Sequence, residues 1–295
     1  MASAIAETPF HRFVSDFMES KVAVCAFFVL SLVITIALFG PWLSPQNPYD
    51  LAQINILDAK LPPGSEGISG RTYWLGTDGQ GRDLLSAILY GLRISLVVGV
   101  TSGSLALAVG ALLGIIGAQV GGKVDALIMR TVDLFLGFPS FLIALILLAV
   151  LGRGVEKVII ALLMSQWANF ARIARGTAVV EREKEYIDAV RCLALPRRRI
   201  VFRHLLPNCL PPLIVVATVN VAFAITLEAS LSFLGVGLPI TEPSLGLLIS
   251  NGYEYILSGK YWISFFPGLA LLIPIASINL VADQLRNVLN PRLQR

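Results

Sequence analysis

Charged residues divide this chain into long apolar stretches. Asp, Glu, Lys and Arg are absent from residues 22–49, 94–122, 134–152, 158–171, 204–227 and 261–282. A helix that crosses a bilayer needs about 20 predominantly apolar residues. Four of these runs reach that length outright. The run 134–152 falls just short, but Leu127, Ile128 and Met129 extend it past Arg130 and Asp133, which lie three apart on one helical face and can pair. The run 158–171 is shorter still and extends into Val155–Lys157 and Arg172, whose long cations can snorkel. The pattern predicts an all-α, polytopic membrane protein with six spanning helices near 22–43, 94–120, 127–151, 155–174, 210–236 and 263–285. The first is a retained anchor, because Gly40-Pro41-Trp42-Leu43 offers no small-x-small cleavage site.

Two connections are too long for simple turns. Residues 44–93 contain Pro45, Pro48, Pro62 and Pro63 and predict an ordered excursion or a mobile flap. Residues 175–207 are charged and periodic. A helix over 181–195 would carry a stripe at Tyr186, Ala189, Val190 and Leu193. Pro196 should end it, since the residue before a proline is pushed out of the α region. A second helix would then run through 197–206, with Pro207 preceding the next span. Spacing alone favours a helix pair resting on anionic lipid, with Arg197, Arg198 and Arg199 at the surface.

Composition agrees with the pattern: 56% of the 295 residues are hydrophobic, 14% are charged and the mean hydropathy is +0.76. Soluble domains carry about 25% charged residues. The excess apolar surface must face lipid. No basic block suggests nucleic acid. With both termini inside, most of the 23 Lys and Arg residues fall in inner segments, nine of them between Arg172 and Arg203, as cytoplasmic loops require. That division gives a cytoplasmic segment 1–21, a first span with an outer loop over 22–93, a membrane domain over 94–286 and a cytoplasmic tail 287–295.

Candidate chemistry is sparse. Cys25, Cys192 and Cys209 have no zinc or disulfide spacing, and no metal site, cofactor site or catalytic residue emerges. Gly117-Ala-Gln-Val-Gly-Gly-Lys123 imitates a phosphate-binding loop, but Val124 stands where a Mg²⁺-binding hydroxyl is required. Gly99, Gly103, Gly110, Gly114, Gly117 and Gly121 fall near one helical face, where small residues allow close helix approach, within the chain or to another subunit. Glu228 is an acid inside an apolar helix and is by default a candidate for a transport path, with Asn220 and Thr226. The alternative for Glu228 is a packed acid bonded to Ser230, Ser232 or a neighbouring helix. Arg82 between Asp78 and Asp83 reads as a salt-bridged turn.

Several motifs in order resemble one family. Glu185-Tyr186-Ile-Asp188-Ala189-Val190-Arg-Cys-Leu-Ala194, followed by Leu206-Pro207, resembles the EAA loop of ABC importer permeases. Val190 replaces the family's second alanine and Ala194 its glycine, whose bend Pro196 would supply two residues later. Leu75-Gly76-Thr77-Asp78-Gly-Gln-Gly81-Arg82-Asp83 is similar to the outer-loop signature of the dipeptide, oligopeptide and nickel branch. Tyr90–Ser95, Phe138-Pro-Ser140, Glu228–Gly235, Phe266-Pro-Gly268 and Asn290–Leu293 also match it. The resemblance is to the second permease of that branch. It implies a type I ABC importer transmembrane domain behind an N-terminal helix and a long periplasmic loop. It also implies a homologous sister permease, two cytoplasmic ABC ATPase subunits and a periplasmic solute-binding protein. The expected function is peptide import across a bacterial inner membrane, with ATP hydrolysed by the partners. Nickel or another small solute is the alternative cargo. An ion-coupled secondary transporter and a non-transporting assembly protein are the rival classes.

Overall fold

The computed structural model describes residues 9–48, 50–242 and 244–289. The Asn290–Leu293 motif and most of the 287–295 tail lie outside the described residues.

A short amphipathic helix, α1 (Pro9–Met18), precedes the first apolar helix, α2 (Lys21–Leu43). Ser20 caps α2 by accepting the Ala23 N–H. An ordered loop follows and contains a two-stranded antiparallel hairpin, β1 (Ser65–Glu66) with β2 (Thr72–Tyr73). Asp83 then caps α3 (Leu84–Val120) by accepting the Ser86 N–H. This helix starts ten residues before the expected 94, and the loop ends at 83 instead of 93. Arg93, which marked the boundary in sequence, is an exposed residue on the helix surface.

Gly121 and Gly122, at φ of +68° and +55°, turn the chain into α4 (Gly122–Leu136). Only glycine takes that conformation without a side-chain penalty. The imitation phosphate loop is therefore a helix–helix turn. The span expected over 127–151 is not one straight helix. It breaks at Gly137-Phe138-Pro139 into α4 and α5 (Ser140–Leu151), which meet at 88°. Pro139 has no N–H to donate and excludes Phe138 from the α region, so the ladder cannot continue.

Next, α6 runs from Val155 to Glu181, seven residues past the expected end. It leads to α7 (Glu185–Cys192), α8 (Arg197–Ile200), a π-helical turn at Val201–Leu205, and α9 (Leu206–Phe233). The helix expected over 181–195 is thus interrupted at Arg182–Lys184. Pro207, which has no N–H to donate, stands directly after the π-helical turn, within the continuous helical run Arg197–Phe233. Finally, α10 (Leu245–Tyr253) leads to α11 (Trp262–Val288).

Among the described residues, four helical runs are long and apolar enough to cross a membrane: α2, α3, the run Arg197–Phe233 and α11. The bent α4–α5 pair makes up to a fifth. The remaining expected span lies within α6, whose 27 residues include Lys157, Arg172 and Arg175.

At the centre, α6 lies along α3, and α9 packs against both. Glycines set this geometry. A Cβ at Gly110 would come 2.4 Å from the Trp167 carbonyl oxygen, and one at Gly114 2.3 Å from that of Ala171. Gly99 and Gly103 face side chains of α9, where a Cβ would come 2.6 Å from Ile225 Cγ1 or 3.3 Å from Val221 Cγ2. The stripe therefore serves packing within the chain, apart from Gly121, which ends α3. Asp125 and Asp133 of α4 pair with Arg175 and Arg172 of α6. The Arg130–Asp133 pair expected from spacing does not form; Arg130 is exposed.

Candidate functional site

Three groups of candidate residues fall in three separate places. The first is the connection from α6 to α9. Glu181, at the end of α6, is 7% exposed and accepts the Tyr186 hydroxyl at 2.8 Å, while Lys184 pairs with its other oxygen at 2.7 Å. Burial, and then the Glu181 carboxylate, push the Tyr186 phenol up to about 12. Ile187 is fully buried, and Arg182 reaches across to the Ala118 carbonyl at the end of α3. These contacts fasten α7 by its Tyr186–Ile187–Val190 side.

The opposite side of α7 is open. Glu185, Asp188, Ala189 and Cys192 are exposed, and Leu193 is 72% exposed. The stripe read from sequence is therefore rotated: Tyr186 and Val190 turn inward with Ile187, while Ala189 and Leu193 turn outward. The bend falls at Ala194, which takes φ of +51°, and Pro196 serves as the residue before α8. An alanine thus holds the left-handed conformation for which glycine is suited, at a cost of about 1–2 kcal/mol. The bend expected at Pro196 stands two residues earlier. Leu206 and Pro207 begin α9 directly behind it.

The second group is the loop between α2 and α3. Gly76 and Gly81 have φ of +82° and +81°, and a Cβ on either would meet a carbonyl oxygen, that of Leu61 at 2.5 Å or of Asn55 at 2.2 Å. Thr77 donates to the Asp58 carbonyl at 2.6 Å and accepts the Leu61 N–H at 2.8 Å. Asp78 accepts the Arg82 Nε–H at 2.7 Å and the N–H groups of Gln80 and Arg82. Gln46 accepts the Asp83 N–H at 2.6 Å. Thr77, Asp78, Arg82 and Asp83 are each at most 2% exposed. Asp58 also accepts the Tyr73 hydroxyl at 3.1 Å, and burial followed by that carboxylate raises the Tyr73 phenol above its ordinary value. The motif is a closed scaffold that shapes the loop and starts α3. It presents no open ligand face.

The third group is on α9. Glu228 is completely buried. Its carboxyl group accepts Ser232 at 2.8 Å, Ser244 at 2.9 Å and, through the other oxygen, Ser95 at 2.9 Å. One side chain thereby joins α3, α9 and the residue that precedes α10. Of the partners anticipated, Ser232 is present, whereas Ser230 bonds to the Thr226 carbonyl. Asn220 donates to the Val216 carbonyl and Thr226 to that of Ala222. Thr226, two residues before Glu228, lies on the far side of the helix, so the three candidates do not share a face. Sequence reasoning missed Ser95, Ser244 and Glu181. Two of these are small hydroxyl residues distant in the chain; Glu181 was legible only as one acid in a charged run.

No group of three or more His, Cys, Asp or Glu residues able to hold a metal occurs among the described residues. The three cysteines are free.

Comparisons with known proteins bear on the whole chain. Residues 106–295 match the family described as binding-protein-dependent transport system inner membrane component. Residues 8–63 match the N-terminal TM domain of oligopeptide transport permease C. The chain is 40% identical over 269 residues to a putative peptide transport system permease protein of Brucella suis biovar 1, covering 90% of this chain and 86% of that one. It is 35% identical over 294 residues to the di/tripeptide transport system permease protein DppC of Pseudomonas aeruginosa, covering 99% and 95%. Among solved structures, an inward-facing conformation of the MetNI methionine ABC transporter superposes with a TM-score of 0.55 at 21% identity. That alignment covers 68% of this chain and 96% of the other, and speaks for the fold.

Proposed function

The chain belongs to the family of binding-protein-dependent transport system inner membrane components, and from that premise we infer that it is one permease subunit of an ATP-driven importer of short peptides. Relatives named as peptide, dipeptide and di/tripeptide permeases support the choice of solute. In this reading six spans, with α4–α5 as one and α6 as another, place both termini in the cytoplasm. The α2–α3 loop is periplasmic and faces a solute-binding protein. A homologous sister permease completes the path, and two cytoplasmic ATPase subunits supply the energy. This chain performs no catalysis.

One observation carries the mechanism: α7 is anchored on one side and bare on the other. The bare side, with Asp188, Ala189 and Leu193, is the surface for the ATPase. The anchored side transmits force. Displacement of α7 pulls on Glu181 through Tyr186 and on Ala118 through the neighbouring Arg182, so α6 and α3 move with it. The π turn and Leu206 pass the same displacement to α9. Glu228, buried among Ser95, Ser232 and Ser244, then acts by holding α3, α9 and the start of α10 together.

Ala189→Leu tests this reading. Ala189 is exposed, so the isolated subunit should insert and fold normally. In a docked groove the extra volume costs about 1–3 kcal/mol. The expected result is loss of ATPase co-purification or of peptide-stimulated ATP turnover, while Arg198→Ala has little effect. Normal transport by Ala189→Leu, together with failed assembly on removing Arg197, Arg198 and Arg199, would return this loop to a lipid-surface role.

A further inference from the structure

The first ordered helix has no part in the mechanism above. In α1, Phe13, Val14, Phe17 and Met18 fall on one side and His11, Arg12 and Ser15 on the other. This is the spacing of an amphipathic helix. It does not extend α2: the chain turns at Glu19 and Ser20, and Ser20 has extended dihedrals of −88° and 100°. The helix is nonetheless fixed in place. Phe17 meets Phe27 of α2 edge-on with ring centroids 6.2 Å apart, and the Asp16 carbonyl accepts the Gln284 amide of α11 at 3.0 Å.

The contacts leave an apolar edge uncovered. Val14 is 36% and Met18 61% exposed, and they border a shallow concavity of about 410 Å³ with His11, Ser15 and Glu19. That edge runs directly into the outer surface of α2, where Val22 is 61% and Phe28 68% exposed. Only 22% of the apolar window of α2 is buried, as expected of a helix whose free surface faces lipid. An apolar strip continuous with a lipid-facing surface, capped by a polar face, fits the boundary between headgroups and acyl chains.

We propose that α1 is an interfacial helix that lies in the leaflet at the inner end of α2, with Val14 and Met18 among the acyl chains and Arg12 and Ser15 towards water. Such helices bury their apolar face roughly 5–10 Å below the headgroups. Through Gln284 the helix also ties the end of α11 to the membrane plane, a fixed reference against which the remaining helices move. The proposal needs only that α2 crosses the bilayer; it stands whatever the solute.

Nitroxide accessibility in the assembled importer, reconstituted in liposomes, tests it. Exposed Cys25 and Cys192 are first replaced by serine, and single labels are then placed by Arg12→Cys, Val14→Cys, Ser15→Cys and Met18→Cys. All four positions are exposed, so the label adds no volume to a packed interior. At 14 and 18, collision with oxygen should exceed collision with a water-soluble paramagnetic chelate, and at 12 and 15 the order should invert. Chelate access dominating at all four positions would put the helix in water. Immobile labels at 14 and 18 that neither reagent reaches would mean that a protein surface covers the strip. Either result overturns the proposal, while leaving the peptide-permease reading intact.

Discussion

Adding one methyl group at Gly114 should loosen the centre of the molecule. The new Cβ would lie 2.3 Å from the Ala171 carbonyl oxygen, 2.9 Å from Ala174 Cβ and 2.9 Å from the Arg175 nitrogen. Two of these three atoms are backbone, so no rotamer change can relieve the clash. The helix α6 would have to retreat from α3 by about 1 Å to restore ordinary carbon–oxygen contact. Overpacking of this kind costs about 1–3 kcal/mol. Replacing glycine with alanine in a helix interior offsets about 0.5–1 kcal/mol of that. The net expectation for Gly114→Ala is a loss of up to about 2.5 kcal/mol. Gly176 in α6 is the matched control, because a Cβ there would meet nothing within 4 Å. Gly176→Ala should therefore gain about 0.5–1 kcal/mol. Thermal midpoints of the chain in one detergent, read by loss of the monodisperse peak, should move down for the first variant and up for the second. If both variants moved up together, α3 and α6 would not be in the close contact described, and the packing role of the stripe would be wrong.

Three further outcomes follow from the other sites. Ala194→Gly should relieve the left-handed strain of about 1–2 kcal/mol at φ of +51°, less about 0.5–1 kcal/mol for glycine's greater chain entropy, and slow proteolysis between α7 and α8. Glu228→Gln can still accept from Ser232 and Ser244 and should retain near-normal stability. Glu228→Leu strands three buried hydroxyls at about 1–3 kcal/mol each and should lower the thermal midpoint sharply. The Tyr186 phenol, raised from 10.0 to about 12, keeps its proton in the folded loop after the unfolded chain has lost it. Its contribution is complete below pH 10.0 and is lost as pH rises towards about 12, so an ultraviolet tyrosinate titration should show, besides the raised Tyr73, a late-titrating group that Tyr186→Phe removes.

Runs of apolar residues sufficed to place four membrane helices, α2, α3, the run Arg197–Phe233 and α11, because lipid leaves a chain no other way to satisfy its backbone. The termini of α2 and α11 were legible for the same reason. Helix ends near charged residues were not. Arg93 bounded an apolar run, yet it lies within α3, and α6 continues past its expected end through Arg175 to Glu181, since a long cation on a helix face does not interrupt the ladder. The break at Pro139 was present as Phe138-Pro-Ser140, but a motif does not state an angle, and 88° depends on how α5 packs against α6. Of the α6–α9 connection, the helix–break–helix order was readable. The face that turns inward was not, because Tyr186, Ala189, Val190 and Leu193 form as plausible a stripe as Tyr186, Ile187 and Val190. The choice was made by Glu181 and the end of α3.

What the sequence determined by itself is local and periodic: apolar lengths, a stripe of small residues suited to close helix approach, the break near Pro196, and the missing hydroxyl at Val124 in the phosphate-loop look-alike. What only the tertiary structure decided is which distant groups meet. Ser95, Ser232 and Ser244 enclose Glu228, and Arg172 takes the aspartate that spacing assigned to Arg130. These pairings depend on distances of a few ångströms between helices far apart in the chain. A buried polar group accepts whichever partner packing brings within about 3 Å. No periodicity along the chain encodes that distance, so the acid that looked most like a transport residue is enclosed by three serines.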